Sequence, residues 1–419
     1  MSERPVDVTI DDFRDPVFSP EIMEIHASVG PMADALVWEP AALMDQACAE
    51  TGLDDFGAQG FTEPLALLVA EFSDPATGLS PMGLVSQHTL LVTLLKNRLR
   101  VQDELHRHPG INDRRIDRPI VIAGLPRTGT THLHNLVAAD PALRSLPYWE
   151  SLEPVLAPAE RPGDGEADPR RARCEQALWF VNESAPYFKR MHEMTVDHVH
   201  EEIQLLAMDF STMLFESIIP LPRYRDWFKA TDQTPSYRYL AQVLKVLQHL
   251  RGGERWVLKS PQHLEQFGPL MTAFPDATVV VTHRDPVAVT ASMATMVAYA
   301  ARTNLARPDP EAIGAYWAAR VEDLLAACAR DRELLPAGQS MDVRFDDFMT
   351  DDVAMVERVY GLADQPFTEA TREAMITYMA EHPRGRHGRV AQDLGVLGLD
   401  EAERTSALGF YSQRFLASE

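Results

Sequence analysis

Two short segments of the 419-residue chain carry residue types suited to holding phosphate. The first is Gly124-Leu125-Pro126-Arg127-Thr128-Gly129-Thr130-Thr131. Its glycines let the backbone turn tightly, so that successive N–H groups point at an anion. The helical pattern that follows, Leu133, Leu136, Val137, adds the positive end of a helix dipole. The glycine spacing is that of a P-loop, but Thr130 stands where the lysine belongs, and the basic residue sits inside the loop as Arg127. An NTPase needs that lysine and Mg²⁺ for the β- and γ-phosphates. The present version suits a shorter anion, with Thr130 and Thr131 donating hydroxyl hydrogen bonds and Arg127 clamping an oxygen bidentately. The second segment is His283-Arg284-Asp285-Pro286, with Ser292 eight residues after Arg284. Arg284 closes the apolar run Thr278–Thr282, placing it at the carboxyl end of a strand, where open α/β sheets bind ligands. Ser292 reaches the same anion only if its helix packs across that edge.

These segments must be positioned by a sheet. Ile120–Ala123, Trp256–Leu258, Thr278–Thr282 and Met341–Phe345 are short apolar or β-branched runs, the pattern of strands buried on both faces. Helical patterns separate them, for example Tyr239–Leu250 and Tyr316–Leu335. Strands alternating with helices predict an α/β fold with a central parallel sheet and helices on both faces. From Ile22 to His106 the pattern is helical throughout. Leu90, Leu91, Leu94, Leu95 and Leu99 form one stripe read as core, with Lys96, Arg98 and Arg100 elsewhere around the helix. The expected division is a helical region, 1–115, before a nucleotide-binding core, 116–419. Residues 157–173, rich in Pro, Gly and charge, read as a flexible insertion.

Composition narrows the field. Apolar residues at 45% and charged residues at 24% exclude a disordered or coiled-coil chain. With 39 basic and 62 acidic residues the net charge is −23, which argues against nucleic acid as a partner. Cys48, Cys174 and Cys328 are too few and too scattered for a disulfide framework or a zinc site. No run approaches a membrane span and no apolar signal core follows Met1, so a cytoplasmic protein without membrane insertion is expected.

In these motifs the chain resembles the sulfotransferases that use 3′-phosphoadenosine 5′-phosphosulfate (PAPS), over most of residues 118–419. Gly124–Thr131 is similar to their 5′-phosphosulfate loop. Arg284 and Ser292 resemble their 3′-phosphate pair, at the family's eight-residue spacing. Trp256-Val257-Leu258-Lys259-Ser260-Pro261-Gln262-His263 resembles the bacterial branch, and Val343–Phe348 a later strand and acidic turn. Pro383-Arg384-Gly385-Arg386-His387-Gly388-Arg389 is similar to the basic loop that folds over the nucleotide, though it departs from the R-K-G-x-x-G form of animal cytosolic enzymes. The resemblance implies a P-loop-like fold, PAPS as donor and PAP as product. It implies cofactor contacts from Gly124, Pro126, Arg127, Thr128, Gly129, Thr130, Thr131, Arg284, Ser292, Arg384, Arg386 and Arg389.

Sulfuryl transfer to an oxygen needs a cation at the leaving oxygen and a base for the acceptor proton. Lys259, assisted by Arg127, takes the first role. For the base, His263 and Glu202 rank nearly equal: an imidazole suits neutral pH, whereas a carboxylate needs burial or a nearby negative charge. His198, His200 and Glu201 read equally well as a solvated helix start, and His132 and His134 as packing or cofactor-edge residues. No metal is expected, since the transferred group carries less charge than a phosphoryl. Trp179, Phe180, Tyr187, Phe188, Met191, Met194, Met208, Phe210, Met213 and Phe215 are either core or the lining for a small apolar acceptor: an alcohol, phenol, sterol or lipid-like molecule. A homodimer is left open. Two rivals are a P-loop nucleotide kinase or NTPase, and a non-catalytic nucleotide-binding protein.

Overall fold

Five strands form one parallel sheet in a computed structural model that describes residues 5–163 and 165–417. They are β1 (Ile120–Ala123), β2 (Leu143–Arg144), β3 (Arg255–Ser260), β4 (Thr278–His283) and β5 (Ser340–Arg344), in the order β2-β3-β1-β4-β5. Every residue of β1, β3 and β4 is buried, which explains why their sequences are continuous rather than alternating. Successive side chains point to opposite faces. Val121, Ala123, Leu258, Val279 and Val281 enter the larger apolar core. Ile120, Ile122, Val257, Val280 and Val343 enter a second one, with Leu133, Leu136 and Val137 of the helix Thr130–Ala138 and Val356 and Val359 of the helix Asp352–Ala363. The result is the α/β, P-loop-like arrangement, with helices on both faces. The two-residue β2 carries no pattern that a sequence reading could have found.

The register decides where the chemistry lies. Ala123 pairs with Ser260 on one side and Val281 on the other, so β1 and β3 end together and β4 runs two residues further along the same edge. The turn beginning at Gly124, the Lys259–Ser260 pair and Arg284 therefore leave the sheet along one carboxyl edge.

Ahead of the sheet lie helices Pro20–Ser28, Gly30–Asp34, Pro40–Thr51, Thr62–Phe72 and Pro81–Arg107. Ser19 and Ser80 cap two of them, each followed by a proline at the first helical position. Leu91, Leu95 and Leu99 are fully buried and share the larger core with Leu205, Leu244 and Trp256, so the N-terminal helices and the sheet are packed around common apolar contacts. Arg98, off the leucine stripe, is buried as well. It is 2% exposed, donates to the carbonyls of Phe56, Ala58 and Met208, and pairs with Asp209 at 2.9 Å. An arginine fork saturated by carbonyls is tolerated inside the core because its donors are satisfied. Within 157–173, Pro169 opens the helix Pro169–Ser184, and Arg161 and Arg173 pair with Glu104 and Glu153.

Candidate active site

The first loop is built as a close-packed cradle. A Cβ on Gly124 would fall 1.9 Å from the Thr282 hydroxyl, so only glycine fits there. Gly129 caps the following helix at φ 92°, a left-handed conformation that glycine adopts without strain. Arg127 also has a positive φ, 74°, uncommon for a residue with a side chain, and it donates to the Met191 carbonyl at 2.9 Å. Gly124, Pro126, Arg127, Gly129, Thr130 and Thr131 line one cavity of about 1260 Å³. Thr128 does not: its hydroxyl is buried between Thr282 (2.6 Å) and the Leu125 carbonyl (2.7 Å), tying the loop to β4. The N–H groups of the first helical turn have no partner within the helix.

Arg284 donates to the Arg127 carbonyl at 2.7 Å and lies over the Phe345 ring. Ser292, on the helix Pro286–Ala300, is 4% exposed and faces the same cavity. The basic loop closes over this edge, and its arginines divide. Arg384 is held by Asp352 at 2.5 Å, and Arg386 by Glu193 at 2.5 Å. Arg389 stays with Arg127 and Arg284. Among the described residues, none of these three guanidiniums is within ion-pair distance of a carboxylate. Burial, then repulsion from Arg284 and Arg389, lowers the Arg127 pKa. Burial also lowers that of Arg284, to which Arg389 adds, against the pull of Asp346 and Asp285. Three clustered cations with no carboxylate at ion-pair distance among the described residues, beside unpaired helix N–H groups, suit a multiply charged anion. The cradle thus fits a phosphate-bearing donor.

On β3, Lys259 is 2% exposed, and its Nζ is paired with Glu201, which lines the cavity. Glu202 and His263 stand behind it. Glu202 accepts the Lys259 backbone N–H at 2.8 Å and meets His263 Nε2 at 2.5 Å, while His263 Nδ1 faces the Tyr237 hydroxyl at 2.8 Å. Neither residue lines the cavity, and His263 is fully buried. Burial pushes the Glu202 carboxyl up, but the His263 charge and hydrogen bond outweigh it, leaving the pKa below its ordinary value.

Further along, Phe188, Met191, Met194 and Met213 line the cavity, whereas Met208, Phe210 and Phe215 belong to the core, and Trp179 and Tyr187 are exposed. A further stretch of the lining, Met293, Met296, Val297 and Ala300, was not singled out from sequence. Its signal was the spacing from Ser292 onward, one helix face at three and four residues. His192, His198 and His200 also face the cavity rather than solvent. His132, paired with Asp352, lies at its edge, and His134 is fully buried.

Comparison with known proteins agrees with this architecture. The model of the family described as "Sulfotransferase family" matches residues 119–369. The chain belongs to the sulfotransferase family. The matched residues include the phosphate loop, Lys259 and Arg284; the N-terminal helices and the basic C-terminal loop fall outside. The sulfotransferase STF9 from Mycobacterium avium superposes with a TM-score of 0.80 at 26% identity, covering 92% of this chain and 98% of that one. The sulfotransferase STF1 from Mycobacterium tuberculosis gives 0.77 at 28% identity, covering 88% and 98%. Both alignments therefore extend well beyond the matched residues. The omega-hydroxy-beta-dihydromenaquinone-9 sulfotransferase Stf3 of Mycobacterium bovis is 23% identical over 293 residues, 64% of this chain and 68% of that protein. Among the described residues no helix is long and apolar enough to cross a membrane.

Proposed function

We propose that the protein moves the sulfuryl group of PAPS to a hydroxyl of a small, hydrophobic acceptor. One observation carries this reading: a single cavity joins the phosphate loop, Lys259, Arg284 and Ser292 to a wall of methionines and other apolar side chains. The curated relatives are named for an omega-hydroxylated dihydromenaquinone, and a hydroxyl-bearing apolar acceptor suits the same wall. Arg284, Ser292 and Arg389 would hold the 3′-phosphate, and the loop from Gly124 to Thr131 the 5′ end. Arg384 and Arg386, already paired with Asp352 and Glu193, act by shaping the covering loop.

For the chemistry, Lys259 and Arg127 place positive charge where the bridging oxygen gathers electrons as its bond to sulfur breaks. Glu201 is the base. It takes the proton of the acceptor hydroxyl as that oxygen bonds to sulfur, and it is the carboxylate that faces the cavity beside Lys259. Glu202 and His263 are positioning residues, because their atoms are spent on one another, on Tyr237 and on the Lys259 backbone. The test is incubation with ³⁵S-labelled PAPS in EDTA and a panel of long-chain alcohols, phenols and sterols. A labelled sulfate ester from at least one class is expected. Binding of PAP without any transfer across the panel would favour a non-catalytic nucleotide-binding protein.

A further inference from the structure

Beside the reacting lysine the cavity wall turns polar in an unusual way. Residues 196–200 run extended against 146–149: Tyr148 N donates to the His198 carbonyl at 2.9 Å, and His200 N to the Leu146 carbonyl at 2.7 Å. Pro147 and Val199 form an antiparallel bridge. Residues two apart on an extended segment share a face, so His198 and His200 stand side by side, their rings 5.7 Å apart. His192 meets His198 edge-on at 5.3 Å. His200 is 8% exposed, its Nδ1 is buried without a hydrogen-bond partner, and so is His198 Nε2. Both side chains line the cavity, and Glu201 follows directly in the chain.

Buried polar atoms are nearly always paired, and two left unpaired on adjacent side chains that line one cavity call for a specific explanation. The charge state of any ligand group that would pair them follows from its surroundings. Burial, then the neighbouring histidines and the Lys259 ammonium, drives His200 well below its ordinary pKa and His198 down to about 2. Burial with Lys259 and Arg127 drives His192 to about 3. Neutral imidazoles at this spot offer one donor and one acceptor each, and suit an uncharged hydroxyl or carbonyl better than a carboxylate or ammonium.

We infer that the acceptor carries a second, uncharged polar group next to the hydroxyl that receives the sulfuryl group, and that His198 and His200 select for it by hydrogen bonding. This rests on the transfer reading above and narrows its acceptor class from apolar alcohols to apolar molecules with a vicinal hydroxyl or carbonyl. A site built to pair such a group disfavours the analogue that lacks it, because its own polar atoms are then left unpaired.

The test uses the full-length protein saturated with PAP and titrated separately with 1,2-octanediol and 1-octanol. Binding is followed on ¹³C-labelled histidine rings, with His198 and His200 resonances assigned through H198Q and H200Q. The diol is expected to bind at least tenfold more tightly than the mono-alcohol, to move both resonances, and to lose most of that advantage in H200Q. Equal affinities for the two alcohols, no binding of either, or diol binding that leaves both resonances in place would overturn the inference. Failure of the wild-type protein to bind PAP would instead overturn the donor-site reading beneath it.

Discussion

Lys259 and Glu201 neutralise each other in the structure, so neither charge is free until a donor arrives. A leaving phosphate that draws the ammonium away would release the carboxylate as a base. Glu201→Gln is therefore expected to keep PAP affinity while turnover at saturating PAPS falls about 10²-fold or more. A loss smaller than about tenfold would remove Glu201 from that role. His263→Ala belongs to a different class. It strands Glu202 in a fully buried position, and truncating one member of a buried ion pair costs about 3–5 kcal/mol. A large drop in the urea midpoint is expected, whereas unchanged stability with collapsed turnover would make His263 the base after all. Arg284→Ala removes one of three clustered cations and should weaken PAP binding by about 2–4 kcal/mol, as for a truncated charge-assisted contact. Calorimetry reads it, and an unchanged affinity would displace the 3′-phosphate from this site. The sequence offered His263 and Glu202 as nearly equal candidates for the base and left Glu201 evenly balanced with a solvated helix start. Glu201 and Glu202 are adjacent just before the helix at Ile203, so which one faces the cavity depends on the backbone turn there. The burial of Arg98 was not legible for a related reason: no helical period distinguishes a solvated arginine from one that meets carbonyls of distant segments.

At the level of elements, β1, β3 and β4 were legible because burial on both faces leaves uninterrupted apolar runs, and the phosphate loop because a strand–glycine–helix passage explains its residues. The segment 187–204 was not legible. It is mostly irregular, its histidines alternate with apolar residues, and the extended pairing with 146–149 that buries them comes from distant contacts. That burial has a measurable consequence. His134 is held down to about 3 by burial and Lys259, and His192, His198 and His200 are likewise lowered. Unfolded, each would take up a proton near pH 6.5. Between about pH 6.5 and about pH 3 the unfolded state therefore binds more protons than the folded one, and stability rises with pH across that window. The protein should be at full stability above about pH 7 and lose it steeply on acidification. His198→Asn should make the slope shallower by about one proton. Denaturant midpoints at several pH values check this, and a flat profile from pH 7 to pH 5 would contradict the neutral, buried state of these rings.

On the scale of the whole molecule, a net charge of −23 surrounds a cleft lined by Arg127, Lys259, Arg284 and Arg389. Screening confines the bulk acidity to about 8–10 Å, so the local cations set what enters. The N-terminal segment pairs with the end of the basic loop beside that cleft. Val8 pairs with Val390, Arg190 donates to the Val6 carbonyl at 2.7 Å, and Arg302, nearly buried, holds Asp12 at 2.5 Å. The N-terminal segment thereby straps down the loop that carries Arg384, Arg386 and Arg389, a long-range contact that no local pattern announces. The central claim is that this strapped, cationic cleft is a metal-free site for a 3′,5′-bisphosphorylated adenosine. Calorimetric titration with PAP in EDTA, against ATP with Mg²⁺, tests it most directly. The account predicts one tight PAP site without metal and no comparable ATP binding. Mg²⁺-dependent ATP binding with PAP silent would contradict it, and would return the loop at Gly124 to nucleotide kinase chemistry.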